Sequence, residues 1–574
     1  MANAAPMTAA PMTAAPMTAA AVAPMAAPTT ATTAATVALT TAPTAPMMAA
    51  PMSRPSVVPM PAATPSGAVL AGPDGRIPGE FGVPDGYLKA PPVFKSVSIV
   101  PSRGSTVRTI HLNLRPPVPP KEQNRYWQEA ERRMGIKWDA QMPPANSYAE
   151  RLSAVFAGGD TPDLVLISDL PNDKQLAGQG AFADLTPYLT GDALKEFPNL
   201  ARFSDYLWKN VTIGGKLYGV PRPSFLVNDA LLVREDWTRK LGIGTPKNAD
   251  EFAAMLTRFK NDDPDGNGKA DSWGLGGGGS TQRHMHLVLF LGMFRVPNQW
   301  RKNPDGTLTH QIETDEFRAM VAYMRRLWDA GLWHPDAVTM NTNQARDKFV
   351  AGAFGAYQDG ITNVSRQSAG GMKQALRAVY PAGNVIGLPP PGHDGGKGTT
   401  IFGPGFLGYT VIPARAGRDR ERVKELLRVL DYFAAPFGSE EWVFMNFGLP
   451  DMHHTFTEGE GWILNDNGTK ELGDLNRLMY GERTQSFFGQ PDELRSIVAM
   501  MRELHSRGVE NPVANLFSPT GVRSAATLDQ LNNDRLVGIV TGREPLSALD
   551  GWIRDWRSRG GDTIRTEYTQ AAKM

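Results

Sequence analysis

The segment Asp263-Pro-Asp265-Gly-Asn267-Gly268-Lys269-Ala-Asp271 carries the most specific chemistry in the chain. Oxygen-bearing side chains fall at its first, third, fifth and ninth positions, and Gly268 stands at the sixth. A hard cation gathers roughly six to eight oxygens at short range, and a loop curling around it must turn sharply at that glycine. Asp263, Asp265, Asn267 and Asp271 offer side chains and Lys269 its carbonyl, so calcium is the expected ion. The twelfth position, where a bidentate glutamate closes a helix–loop–helix sensor, is Gly274. The loop is therefore expected to be structural, its last ligand coming from water or a distant segment. The same residues also compose an ordinary polar turn without an ion. His284 and His286 are two apart, which permits a metal on one strand face, yet no third ligand accompanies them.

Such groups need a scaffold, and the chain before and after the loop supplies its pattern. Residues 110–114 (Ile-His-Leu-Asn-Leu) alternate as a first strand, and 122–135 carry Tyr126, Trp127, Ala130 and Met134 at helical spacing up to a glycine cap. A strand at 136–140 and a helix at 148–157 follow, the latter stopped by Gly158 and Gly159. The continuous apolar run Leu164-Val-Leu-Ile167 then reads as a buried parallel strand. Strand, helix, strand, helix, strand is the order of an α/β fold with a largely parallel sheet. Ligands in such sheets bind beyond the carboxyl ends of strands, which makes Asp169 a binding candidate, or else a turn or helix-capping aspartate. Further strands are expected at 231–233, 385–388 and 406–412, with a hairpin at 214–221 leading into another. Helices are expected at 248–260, 315–330, 346–351 and 420–433. At 546–559 a last helix places Trp552 and Trp556 four apart, a packing stripe, before Gly560 and Gly561 cap it.

A chain of 574 residues exceeds what one core organises, so two or more lobes are expected. Net charge is +1 with both signs mixed, which argues against a nucleic-acid partner. Cysteine is absent, which excludes disulfides, thiolate catalysis, thiolate metal sites and a lipid-modified cysteine in the sequence as given. No apolar run is long enough to span a bilayer. Residues 1–66 are Ala, Pro, Thr and Met with an Ala-Pro-Met-Thr-Ala repeat, too small and too proline-rich to bury a core. They read as a disordered or extended tether, or as residues standing where an export signal belongs. Order is expected to begin near 99–109.

Several segments together resemble the extracellular solute-binding proteins of the maltose-binding type. These are 157–164 (Ala-Gly-Gly-Asp-Thr-Pro-Asp-Leu), 182–189 (Phe-Ala-Asp-Leu-Thr-Pro-Tyr-Leu), 214–221 (Gly-Gly-Lys-Leu-Tyr-Gly-Val-Pro) and 234–242 with Arg-Glu-Asp-Trp and Lys-Leu-Gly. They occur in that family's order and spacing. Residues 405–413, 435–441 and 542–550 are similar to its large oligosaccharide-binding branch, and the calcium loop to that of alginate-oligosaccharide binders and their lipoprotein relatives. The resemblance covers about residues 92–570. It implies a two-lobe, periplasmic-binding-protein-like α/β clamp with hinge-crossing segments. The boundaries expected from it are a head at 1–91, a first lobe at 92–222 and 399–450, and a second lobe at 223–398 and 451–574. It implies binding without chemistry, an oligosaccharide or related solute as ligand, ABC transporter permease subunits as partners, an extracellular or cell-surface location, and a monomer. This chain departs from the family in lacking an export signal and a lipid-attached cysteine, and in having Ser272 where related loops place an acidic ligand.

Sugar sites combine aromatic faces with groups that pair hydroxyls. The family pattern, carried over position by position, implies Asp169, then Arg222, Phe225 and Asn228 after Pro221, then Asp359 in the loop 358–360. Trp273 and Trp300 flank the calcium loop and the glycine run, and Phe402 and Phe406 stand beside an expected lobe crossing. Taken singly, each aromatic is better explained by core packing, and it is the group that points to a sugar. Two other functions use the same residue types. A glycoside hydrolase would need two facing carboxyl groups, and a calcium-dependent surface scaffold would bind no small molecule.

Overall fold

The computed structural model describes residues 72, 75–79, 82–168, 170, 172–278, 285, 287–364, 371–486, 488 and 490–573. Asp169, His284 and His286 lie outside them. Two mixed sheets organise the described chain. One has the strand order Ile136–Gln141, Ser105–Ile110, Leu164–Ile167, Phe406–Val411, Gly219–Pro223. Its first three strands are parallel, and Phe406–Val411 is antiparallel to both neighbours. The other sheet has the order Trp273–Leu275, Phe354–Gly360, Asp229–Arg234, Val385–Leu388. There Asp229–Arg234 is antiparallel to both neighbours. In each sheet the strand running against its neighbours is the one the chain enters on arriving from the other half.

The strand Asp229–Arg234 explains its own composition. Ala230 and Leu232 join one core with Phe349, Tyr357 and Leu376, whereas Leu231 and Val233 join another with Phe252, Phe290 and Met324. Side chains alternate between faces, so a sheet covered on both sides reads as an unbroken apolar run. Leu164–Ile167, buried at every residue, does the same in the first half. Burying each such side chain fully stabilises the fold by about 1.5–3 kcal/mol.

Helix Ala249–Asn261 shows the local logic. Asn248 caps it by accepting from Glu251 N–H at 2.8 Å, and Glu251 accepts in return from Lys247 N–H at 2.9 Å. Phe252, Met255, Leu256 and Phe259 recur at helical spacing and are buried. The helix packs on Trp273–Leu275 and so fixes both ends of the acidic loop between them.

Four expectations change. The first strand is Ser105–Ile110, carried by β-branched Thr106, Val107, Thr109 and Ile110, and not 110–114. Gly560 (φ 129) breaks the helix as expected, but that helix is not the last: Ala548–Trp556 and the turn Arg557–Gly561 lead across the kink into Asp562–Ala571. Order does not wait for residue 99. Arg76–Ile77 pairs with Gly86–Tyr87, which pairs with Gln485–Ser486, and Ile77 and Val83 are buried in the second half's core. Strands of two residues show no periodicity, which is why the head was expected to run to 91. Finally, Leu472, Leu475, Leu478 and Met479 belong to the first half's core, while Leu494, Ile497 and Val498 belong to the second's. We therefore propose the last lobe boundary after Met479 in place of 450/451.

Candidate functional site

The chain leaves the first sheet at Pro223, enters the second at Asp229, and returns through residues 399–405 to Phe406. The two connecting segments bond to each other. Ser224 N–H donates to the Gly405 carbonyl at 2.7 Å, and Gly403 N–H donates to the Leu226 carbonyl at 2.9 Å. Gly405 has φ +80, and a Cβ there would meet the Tyr206 ring at 2.5 Å, so glycine meets both the turn and the close approach.

A cavity of about 300 Å³ opens beside this pair of segments, walled by Phe225, Asn228, Asp229, Leu289, Gln358 and Phe406 among others. Both sheets aim at it. Gln358 lies near the carboxyl end of Phe354–Gly360, and from the first sheet Phe406 and Ser224, next to Pro223 at the carboxyl end of Gly219–Pro223, reach the same space. Gly360 lets Asn228 approach, since a Cβ there would meet the Asn228 amide nitrogen at 2.4 Å. Among the described residues the buried Asn228 Oδ1 has no hydrogen-bond partner. A buried acceptor left without a donor is costly, about 1–3 kcal/mol, and Asn228 is itself one of the residues that wall the cavity.

Pro404 and Phe406 also wall a neighbouring cavity of about 210 Å³ with Asp173, Lys174, Tyr409 and Asn515. Tyr409 donates its hydroxyl to Asp173 at 2.8 Å. Burial, with the Asp173 carboxylate beside it, pushes the Tyr409 phenol well above its ordinary range, so it stays a neutral donor. A larger cavity, about 510 Å³, lies to the rear, on the other side of Ser224 and Phe225 against the N-terminal arm. Its walls include Arg76, Arg202, Arg483, Asp85 and Glu482. The carboxylates there are engaged, Asp85 by Arg76 Nε and Gly79 N–H at 2.8 and 2.7 Å, Glu482 by Ser204 N–H at 2.7 Å. Size alone favours this space, but loops and the arm build it, whereas strand ends of both sheets converge on the smaller one.

The expected binding residues separate into two groups. Phe225, Asn228 and Phe406 meet at the cleft cavity. Arg222 is buried with Nε on the Leu407 carbonyl at 2.8 Å and Nη1 on the Arg477 carbonyl at 3.1 Å, tying three chain segments together. Asp359 is buried as the acceptor of Arg346, Tyr357 and Asn363. Trp300 is 5 % exposed and packs on His310, Trp556 and Tyr568. Trp273 lies against His334 with ring centroids 4.7 Å apart, and Phe402 against His505 at the same separation. Gln358 stood in the expected loop 358–360, whereas Asp229, Asp173 and Tyr409 went unexpected, although Tyr409 lies three residues beyond Phe406 in the same strand.

In the acidic loop the backbone curls as the glycine spacing requires, with Asp263, Gly266 and Gly268 at φ 47, 77 and 75. Asp263 accepts from Gly266, Asn267 and Gly268 N–H at 3.0 to 3.1 Å. Asn267 Nδ2 stands between Asp265 at 2.8 Å and Asp271 at 3.1 Å. Burial, then the Asp263 and Asp271 carboxylates, raises the Asp265 carboxyl above its ordinary range. Lys240 Nζ donates to the Asp263 and Pro264 carbonyls, both at 3.1 Å. Position 274 cannot hold a glutamate, because a Cβ there would meet Leu256 Cβ at 2.6 Å. Ser272 turns inward to the Phe259 carbonyl at 2.8 Å. Among the described residues no three His, Cys, Asp or Glu side chains are grouped to hold a metal by themselves. The donor chemistry nevertheless fits a hard cation, since Asp263, Asp265, Asn267 and Asp271 all present oxygens on one curled loop.

The sequence pattern described as bacterial extracellular solute-binding protein matches residues 121–431. The polygalacturonan/rhamnogalacturonan-binding protein YtcQ of Bacillus subtilis is 26 % identical over 466 residues, 79 % of this chain and 89 % of its own. Among solved structures, alginate-binding protein AlgQ2 without calcium ion superposes with a TM-score of 0.60 at 17 % identity, covering 84 % of this chain and 100 % of its own. An EF-hand mutant of the Streptococcus pneumoniae ABC-transporter substrate-binding protein FusA, in complex with fructo-nystose, gives 0.58 at 18 %, covering 81 % and 98 %. These likenesses establish the two-lobe solute-binding fold. Among the described residues no helix is long and apolar enough to cross a membrane.

Proposed function

The chain belongs to the bacterial extracellular solute-binding proteins, and from that premise we propose that it captures an oligosaccharide between its two halves and delivers it to an ABC permease. One observation carries this reading. Phe225, on the outgoing segment, and Phe406, where the returning segment enters the sheet, line the same cavity as Asn228, whose Oδ1 has no partner among the described residues. Aromatic surface for the C–H side of a pyranose beside an unmet acceptor is what a sugar requires. That the relatives YtcQ and FusA are named for binding saccharides supports the same class.

Capture without chemistry fits the carboxylates. Asp173 is held by Tyr409 and Asp229 by Gln358 Nε2 at 3.2 Å, in cavities that Phe406 separates. The acidic loop is assigned Ca²⁺, ligated by Asp263, Asp265, Asn267 and Asp271 with the Lys269 carbonyl, as a brace for the strand Trp273–Leu275. The protein acts outside the cytoplasm, as a monomer, because a clamp that opens gains little from a rigid interface.

A thermal-shift screen of the full chain against oligosaccharides tests the assignment. A ligand that binds the folded state alone raises stability by roughly RT ln(1 + [L]/Kd). Sugar-specific rises with no reducing sugar released support capture. Release of reducing sugar would replace it with hydrolysis, and calcium-dependent stabilisation with no sugar response would favour a scaffold.

A further inference from the structure

Connecting segments at 223–229 and 399–405 join the halves, and a third runs between Met479 of the first half's core and Leu494 of the second's. The arm ahead of the first strand makes a fourth join. Ile77 and Val83 are buried in the second half's core with Leu494, Ile497 and Leu504, and Leu88 packs on it. The arm lies so close there that a Cβ at Gly86 would meet Leu494 Cδ1 at 2.9 Å. One at Gly82 would meet Leu226, on the outgoing segment, at 2.5 Å. Gln485 N–H, on the third segment, donates to the Asp85 carbonyl at 2.8 Å. Further along, the same arm is fastened to the first half, at a turn and helix lying between Ala434 and Phe444 of that half's core. The Tyr87 ring centroid lies 4.5 Å from that of Phe437, and Glu440 N–H donates to the Phe94 carbonyl at 2.9 Å. Ser96 donates through both its N–H and its hydroxyl to Glu441, each at 2.9 Å, and its hydroxyl accepts from Asn199 Nδ2 at 3.1 Å. Val97 then packs on the first half's core.

We propose that residues 82–97 are a strap that holds the two halves in their closed arrangement and so raises the affinity of the cleft for its solute. The arrangement described is a closed one, since Lys174 of the first half donates to the Ala514 and Leu516 carbonyls across the cleft. Every anchor of the arm, on both halves, is made in it. Opening turns one half against the other about the connecting segments, and a stretch tied to both must then yield at one end. Little slack is available between Leu88 and Phe94. That stretch contains Pro91 and Pro92, whose rings fix φ, and Pro91 is pressed on the first half, where a Cβ at Gly438 would meet its Cγ at 2.2 Å. Contacts made in one arrangement and lost in the other bias the equilibrium toward the first. A solute that binds the closed form then gains affinity in proportion to the population already closed. The strap acts on closure whatever class of solute the cleft holds.

The chain has no cysteine, so Lys195→Cys and Lys302→Cys, one exposed on each half, carry spin labels at those two places alone. Pulsed spin–spin distance measurement on the labelled full chain without ligand then reads closure directly. A run of glycines inserted between Lys89 and Ala90 keeps every anchor and slackens the strap. Ile77→Ala, Val83→Ala and Leu88→Ala, combined, loosen its hold on the second half. Both changes are expected to shift the label separation to a second, open population, and to weaken binding of the tightest sugar of the thermal screen by about tenfold. Val321→Ala, buried in the second half's other core, is expected to lower the melting temperature and to move neither readout. An unchanged separation in the folded insertion variant would overturn the strap, even where the triple variant fails to fold. A like shift in Val321→Ala would overturn it as well. A shifted separation with unchanged sugar affinity would overturn its part in binding. A shifted separation in a chain that binds no sugar would leave the strap standing and overturn the oligosaccharide reading.

Discussion

The ammonium of Lys174, in the first half, donates to the carbonyl of Ala514 at 2.8 Å and to that of Leu516 at 3.3 Å. Leu516 packs against the second half's core, while Ala177, on the helix of Lys174, lies in the first's. The contact therefore spans the cleft. Burial lowers the Lys174 ammonium from its ordinary range, opposed by the Asp173 carboxylate next to it.

Lys174→Met is expected to loosen the closed arrangement. A hydrogen bond from a charged donor contributes about 1.5–3 kcal/mol, so sugar affinity should fall roughly tenfold. Small-angle scattering should show a larger radius of gyration before ligand is added. An unchanged radius together with unchanged affinity would mean that the contact does not hold the halves together.

Phe406→Ala and Phe225→Ala should each weaken sugar binding by about 10- to 100-fold, the scale of losing an aromatic contact at a binding centre. Trp300→Ala should behave oppositely. It removes a core ring, costing about 3–5 kcal/mol of stability, and leaves affinity unchanged below the lowered melting temperature. Calorimetry beside thermal melts separates the two classes of variant.

The contrast shows what a sequence can carry. Helix Ala249–Asn261 was legible because its cap and apolar stripe are local, and Leu164–Ile167 because a doubly covered strand is apolar throughout. Phe225 and Asn228 were legible through the order of motifs around them. Phe402 and Phe406 were chosen alike for standing beside an expected lobe crossing, and Trp273 and Trp300 for flanking the acidic loop and the glycine run, but neither type nor neighbourhood says whether a ring faces a cleft or a neighbouring ring. The pairs Tyr409–Asp173 and Lys174–Ala514 join residues hundreds of positions apart, for which local spacing holds no signal. The two-residue strands at Arg76–Ile77 and Gly86–Tyr87 are held by backbone pairing and one buried isoleucine, too little pattern to see.

Calcium should raise the melting temperature, and chelator should reverse the rise. At a hundredfold excess over Kd the gain is about 2.7 kcal/mol. Asp263→Asn and Asp271→Asn should each abolish the gain. A calcium response that survives both would place the ion elsewhere.

Asp431 gives a pH signature independent of ligand. It is 4 % exposed and accepts from Asn199 and Leu200 N–H at 2.8 and 2.9 Å. Burial pushes its carboxyl up to about 6, against those two N–H groups and with a contribution from Glu441 in the same direction as burial. The folded pKa exceeds the unfolded one, so the stabilising contribution of the protonated form is complete below about pH 4 and is lost as pH rises through about 6. Asp431→Asn keeps the accepting oxygen and removes the charge. It should stabilise the protein by about 1–3 kcal/mol at pH 8 and by nothing measurable at pH 4. A pH-independent difference in thermal melts would contradict this.

Hydrogen–deuterium exchange of the full chain, with and without the tightest-binding sugar of the thermal screen, tests the location of the site most directly. The cleft assignment predicts added protection across residues 224–231, 399–409 and 356–360. Protection confined instead to 76–94 and 199–206, around the rear cavity, would contradict it.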